Sequence, residues 1–178
     1  METIENPVIG ERITFVTTSK KSNGEKTLME VHLSPKGGNP LHYHHSFTET
    51  FKVIEGELNV QIGKQKQKLT PGDTASVPAG AIHRFYNTSG KPVLFTCEIK
   101  PGSEDFENVL RIGCGLARDG KAAGHGMPKS IWHMAILMNM GEGSFIGFFS
   151  VLQRFFRLLA RTTKAKRIQR ELLIKYCK

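Results

Sequence analysis

Apolar and polar residues alternate through most of the first hundred positions, in short runs broken by turn signals. Ile13-Thr14-Phe15-Val16 and Leu28-Met29-Glu30-Val31-His32-Leu33 are rich in β-favouring residues and are separated by the turn-like Ser22-Asn23-Gly24. Glu49 to Ile54 and Glu57 to Ile62 flank Glu55-Gly56, which predicts a tight hairpin. A Pro71-Gly72-Asp73 turn leads to Thr74–Val77, and Pro78-Ala79-Gly80 leads to a short strand from His83 to Asn87. From Pro92 to Lys100 the alternation is regular, with Val93, Phe95, Cys97 and Ile99 on one face. Many short strands at regular spacing predict an all-β sandwich or barrel.

After Pro101-Gly102 the period changes. Glu104 to Leu110 fits a short helix capped by Ser103, and residues 113–130, rich in Gly, Lys and Ala, read as a loop or surface excursion. From Phe145 onward the spacing is helical. Val151, Leu152, Phe155, Phe156 and Leu159 share one face, and Arg154, Arg157 and Arg161 share another. A second helix is expected after Thr162-Thr163, with Ile168, Leu172 and Tyr176 in one row. The division is therefore a β-core over residues 1–103 and a loop with a helical extension over 104–178.

The chain carries 25 Lys+Arg and 16 Asp+Glu, a net charge of +9. Nine of those cations and one acid, Glu171, fall within residues 151–178, so the charge belongs to the tail. Its apolar face is expected to pack on the barrel or on a second subunit, most simply in a homodimer. Docking on a membrane surface is the next reading, and nucleic-acid binding the weakest, since no recognition motif accompanies the charge. The most apolar window, Gly143 to Gln153, is too short to cross a bilayer, which takes about 20 residues. Met1 to Glu11 shows no secretory pattern. Cys97, Cys114 and Cys177 are odd in number and widely spaced, so reduced thiols in a cytoplasmic protein are expected.

The chemistry concentrates in His42-Tyr43-His44-His45-Ser46-Phe47-Thr48-Glu49. On a strand, His42 and His44 share a face while Tyr43 and His45 point away. A short turn would return the Glu49 carboxylate to the same spot, and His83 would join from a distant segment. Three imidazoles and a carboxylate suit Fe, Mn, Ni, Zn or Cu better than Mg or Ca. Taken alone, a histidine pair of this kind also fits a solvated surface tract. His125 and His133 read as ordinary histidines, and Cys97 as a small buried hydrophobe.

The segment resembles the cupin superfamily. His42, His44, Glu49 and Gly56 fit the intervals of that family's first motif, although Gly37 lies one residue too close to be its opening glycine. Gly72, Pro78, Gly80, His83 and Asn87 fit the second motif without departure, and residues 57 to 71 form a compact spacer, as in small bacterial cupins. The resemblance implies a double-stranded β-helix, or jelly-roll barrel, over about residues 10–100. It also implies a divalent transition metal held by His42, His44, Glu49 and His83. It leaves two classes of function open: a metal-dependent enzyme, either a dioxygenase or an isomerase or lyase acting on a small oxygen-rich molecule, and a non-catalytic binding or sensing module. No acid–base residue is identified beside the ligands.

Overall fold

The structure, a computed structural model, describes residues 1–124, 126–141, 143–145 and 148–177, with backbone alone at 143–145, 148–151 and 153. Eleven strands and four helices are present among them. Strands β1 (Glu2–Asn6), β2 (Glu11–Thr17), β3 (Thr27–Leu33), β4 (His42–His44), β5 (Thr48–Glu55), β6 (Leu58–Ile62), β7 (Gln65–Leu69), β8 (Thr74–Val77), β9 (His83–Tyr86) and β10 (Val93–Lys100) come first. They are followed by α1 (Glu104–Arg118), α2 (Ile131–Met140), β11 (Gly143–Phe145), α3 (Phe148–Ala160) and α4 (Thr163–Tyr176).

The strands form two antiparallel sheets. One has the order β1-β2-β3-β10-β5-β8 and the other β11-β4-β9-β6-β7. Their inward rows meet in one core that includes Phe15, Leu33, Phe51, Val60, Phe85 and Phe95. The regular row Val93, Phe95, Cys97 and Ile99 is buried throughout, as its alternation requires.

Glu55-Gly56 is not a hairpin turn. β5 pairs with β10 and β8, and β6 with β7 and β9, so the turn carries the chain from one sheet to the other. Gly56 has φ +82°, and a Cβ there would lie 2.7 Å from the Pro92 carbonyl oxygen. The glycine thus serves a close crossing, which produces the same turn signal as a hairpin.

Helix α1 extends well beyond Leu110, so the expected loop at 113–130 is helical up to Arg118. Ser103 caps it, accepting the Phe106 N–H at 3.2 Å. Phe106, Leu110 and Cys114, four residues apart, face the barrel core, while Val109, Ile112 and Leu116 face the other helices. Glu107, 2% exposed, pins the helix: its carboxylate accepts from the Ser19 N–H and the Thr27 hydroxyl, each at 2.6 Å.

In the tail, α4 begins at Thr163, with the Thr162 hydroxyl accepting the Ala165 N–H. Ala165 and Leu172 pack on Ile112, Leu116, Ile136 and Met140, and Phe156 and Ala160 pack with Ala135. Phe155 departs from the expected buried face: it is 49% exposed, as Leu158 is at 64%. The side chains of Phe145, Phe148, Phe149 and Val151 lie outside the described residues, as does His125. Among the described residues no helix is long and apolar enough to cross a membrane.

Candidate metal centre and its cavity

Three segments converge at one end of the barrel. His42 and His44 sit on β4, and His83 opens β9 directly opposite His42 in the register, so the five-stranded sheet supplies all three imidazoles. Glu49, on β5, comes across the barrel from the other sheet. Gly80, at φ +81°, closes the loop before β9, and its N–H donates to the His44 carbonyl at 2.7 Å. That contact ties the loop that presents His83 to the strand that presents His44. The ligand-capable atoms of His42, His44, Glu49 and His83 all lie within 4.8 Å of one another.

Their hydrogen bonds set the tautomers. The Nδ1 atoms of His42 and His83 face the carbonyls of Pro40 and Ala81, each at 2.9 Å, and a carbonyl only accepts. Those nitrogens therefore carry protons, and the Nε2 atoms turn inward. His42 Nε2 lies 3.1 Å from His44 Nε2, and His83 Nε2 lies 2.8 Å from Glu49 Oε2. Converging acceptors need a proton or a cation among them.

Burial lowers the His44 pKa to about 3 against the attraction of Glu49, and burial with the neighbouring His83 lowers that of His42. Burial opposes ionisation of Glu49, but the His83 hydrogen bond and the three imidazoles outweigh it and bring the carboxyl to about 2. Burial also opposes charging of His83, yet the Glu49 hydrogen bond and charge leave its pKa raised. Neutral imidazoles at His42 and His44 beside an ionised Glu49, with His83 able to give up its proton to an incoming cation, are a donor set that a divalent transition ion takes.

Residues 29–99 match the family described as Cupin domain. KdgF from a Halomonas species superposes with a TM-score of 0.53 at 17% identity, covering 59% of this chain and 90% of that one. Residues 29–99 form a cupin domain. Among curated proteins, this chain is 30% identical to quercetin 2,3-dioxygenase of Bacillus subtilis over 57% of its own length and 37% of that protein. It is 28% identical to a probable oxidoreductase of Hypocrea virens over 66% of its own chain and 59% of that protein. The chain thus spans less than two thirds of either relative.

The site stands at the edge of a cavity of about 260 Å³. His42, His44 and Glu49 line it directly, with β-strand residues such as Ile13, Met29, Val31 and Phe95 on one side. Val109, Leu110, Met134, Leu137 and Met138 of α1 and α2 form the opposite wall, which is almost wholly apolar. The helical extension therefore encloses the site, and α1 touches it: Phe106 packs edge-on to His44 with ring centroids 5.4 Å apart, and Phe47 stacks on His44 at 4.5 Å. β11, paired with β4, continues the ligand-bearing sheet.

Two cavity residues escape the sequence reading. Cys97 is buried as expected, but its thiol donates to Glu49 Oε1 at 3.1 Å, so both oxygens of the carboxylate are engaged. Burial and Glu49 hold that thiol well above its ordinary range. Glu11 lines the same cavity from the start of β2. Its signal in the sequence is the row Glu11, Ile13, Phe15, a carboxyl in register with two core positions. His133, on α2, keeps a buried Nδ1 with no hydrogen-bond partner among the described residues and lies outside the cluster. Asn87 directly follows β9, and its side-chain amide donates to the Leu33 and Lys91 carbonyls, a structural use.

Proposed function

We propose that this chain is a metal-dependent oxidoreductase of the dioxygenase type. Its substrate would be a small, mostly apolar molecule that presents one or two oxygens to the ion. The observation that carries the reading is a cluster of four donors, within 4.8 Å of one another, at the edge of an apolar cavity. An oxygen-rich ligand would find few partners on those walls, whereas an apolar body with its oxygens at one end matches them. The oxidoreductase names of the two curated relatives support the same class.

His42, His44, Glu49 and His83 would hold the ion, with one carboxylate leaving a net charge near +1. The ion would polarise a substrate oxygen and, if redox-active, engage dioxygen. The chain's own part is to seat the substrate against the apolar wall, keep water out and keep His42 and His44 neutral. The reading takes the protein as cytoplasmic, where the unpaired Cys97, Cys114 and Cys177 stay reduced. It also takes a homodimer as the assembly that covers the outward face of α3.

The test is metal analysis of protein as isolated, followed by oxygen uptake with quercetin and simpler enols as substrates. Substrate-dependent uptake should vanish in His44→Ala and Glu49→Gln proteins along with their metal. Metal retained by both variants sinks the ligand assignment. Full metal with ligand binding but no oxygen uptake would favour the isomerase, lyase or non-catalytic binding readings.

A further inference from the structure

Glu11 lies on the inward face of β2, because residues two apart on a strand share a side and Ile13 and Phe15 are core residues. Its register partner on β3, Leu33, is fully buried. The carboxyl therefore borders the cavity that also contains His42, His44 and Glu49. Among the described residues no cation or hydrogen-bond donor engages it; the influences on it are its own burial and the charge of Glu49. A carboxyl kept for structure is normally given a partner, as Glu107 is. One left bare against an apolar chamber is costly, and its natural partner is a group on a bound molecule.

We propose that Glu11 is the proton acceptor of this cavity, acting on a weakly acidic hydroxyl, an enol or phenol, of a largely apolar ligand seated against the His42, His44, Glu49 and His83 cluster. The proposal rests on the metal-site reading only for what anchors the ligand. In the step, the ligand O–H bond breaks and its proton forms a bond to a Glu11 oxygen. The electron pair stays on the ligand oxygen, giving an enolate or phenolate. No oxidant takes part, and the proton leaves Glu11 when the product departs.

The electrostatics suit the task. Burial and the Glu49 charge push the Glu11 carboxyl up to about 7, which places it where a general base is most useful near neutral pH. Apart from Glu49 and its partner His83, whose pKa that carboxylate raises, the ionisable groups around the chamber are neutral there. The Cys97 and Cys114 thiols are held above their ordinary range and the His42 and His44 pKa values are lowered. Glu49 is thus the charge that Glu11 senses.

Proton counting tests this without any turnover. Zinc-loaded protein is titrated calorimetrically with quercetin as probe, in two buffers of different ionisation enthalpy, at about pH 8, above the Glu11 carboxyl. Wild type should bind the ionised probe, seen in its absorption spectrum, with about zero protons released, because the proton stays on Glu11. Glu11→Gln, at equal zinc content, should release about one proton per probe bound or bind the probe un-ionised. Glu11→Asp should recover part of the wild-type behaviour. Identical spectra and proton counts for wild type and Glu11→Gln overturn the proposal, and so does a wild type that binds no probe. A wild type that ionises the probe but never consumes oxygen overturns the oxidative reading and leaves the role of Glu11 standing.

Discussion

At Glu49 each carboxylate oxygen has its own donor: Oε2 meets His83 and Oε1 meets the Cys97 thiol. Partners behind a ligand orient it, and their loss typically lowers metal affinity about 10–100-fold. Cys97→Ala is therefore expected to weaken metal binding by about tenfold while the barrel stays folded, and Cys97→Ser to retain most of it, as read by competition with a chelator. Equal affinity in all three proteins would show the thiol to be mere packing. The ionisable groups also set the pH response of the metal-free protein. The Glu11 pKa is raised from an ordinary 4.5 to about 7, so the native state binds the proton more tightly than the unfolded chain. Its contribution is present below the unfolded value and is lost as pH rises through about 7. His44 and Glu49 have the opposite sign: both pKa values are depressed, and their contributions fade as pH falls toward the folded values of about 3 and about 2. Glu11→Gln should accordingly match wild type in urea denaturation near pH 4.5 and exceed it by roughly 2–3 kcal/mol near pH 8. An advantage that is the same at both pH values would mean that the carboxyl does not titrate in this window.

Elements were legible in the sequence where one physical signal dominated. β2, β3, β8 and β10 carry a strict two-residue alternation, and the two motif segments give His42, His44, Glu49 and His83 by spacing. β7 was hidden because Gln65-Lys66-Gln67-Lys68 is exposed at the edge of its sheet, where polar residues and lysine discourage edge pairing. β1 was hidden for a related reason: only Ile4 and Asn6 are buried in a polar stretch. Gly56 gave a true turn signal, but a turn does not say whether its strands pair with each other or cross between sheets. Gly113 and Gly115 suggest a break, so a local pattern ends α1 near Leu110. Gly115 is instead required by contact, since a Cβ there would lie 2.3 Å from the Tyr176 ring of α4. That constraint is tertiary and invisible to a local pattern. Glu107 carries the same lesson in energetic form, because its partners Ser19 and Thr27 lie some eighty residues away. Glu107→Ala should strand two buried donors and cost about 2–4 kcal/mol of stability, with metal content per folded chain unchanged. A loss below about 0.5 kcal/mol by chemical denaturation would show that α1 is held by its apolar face alone.

At the scale of the whole molecule, the helical extension closes the barrel's chemistry rather than trailing from it. α1 and α2 wall the cavity, and α4 covers α1 and α2 in turn, with Asp119 at the end of α1 accepting from the Tyr176 hydroxyl at 2.7 Å. Deleting 148–178 removes α3 and α4 and uncovers Ile112, Leu116, Ile136 and Met140, which are buried in the intact chain. Each such side chain contributes on the order of 1.5–3 kcal/mol when buried, against 0–1 kcal/mol for the surface ion pairs that the basic tail makes. The truncated protein should therefore keep its metal, because the four ligands and the cavity wall remain, yet associate into larger species by light scattering. A soluble truncated chain of the size its mass predicts would refute the covering role. Among the apolar side chains that stay exposed in the described residues, Phe155 and Leu158 sit together on the face of α3 that also carries Arg154 and Arg157. A two-fold dimer, the commonest closed assembly, would bury that pair. Full-length protein should then sediment as a dimer, and Phe155→Lys with Leu158→Lys should return it to a monomer with its metal content intact. A monomeric full-length chain that pellets with anionic vesicles at low salt and is released at high salt would assign the same face to a membrane surface instead.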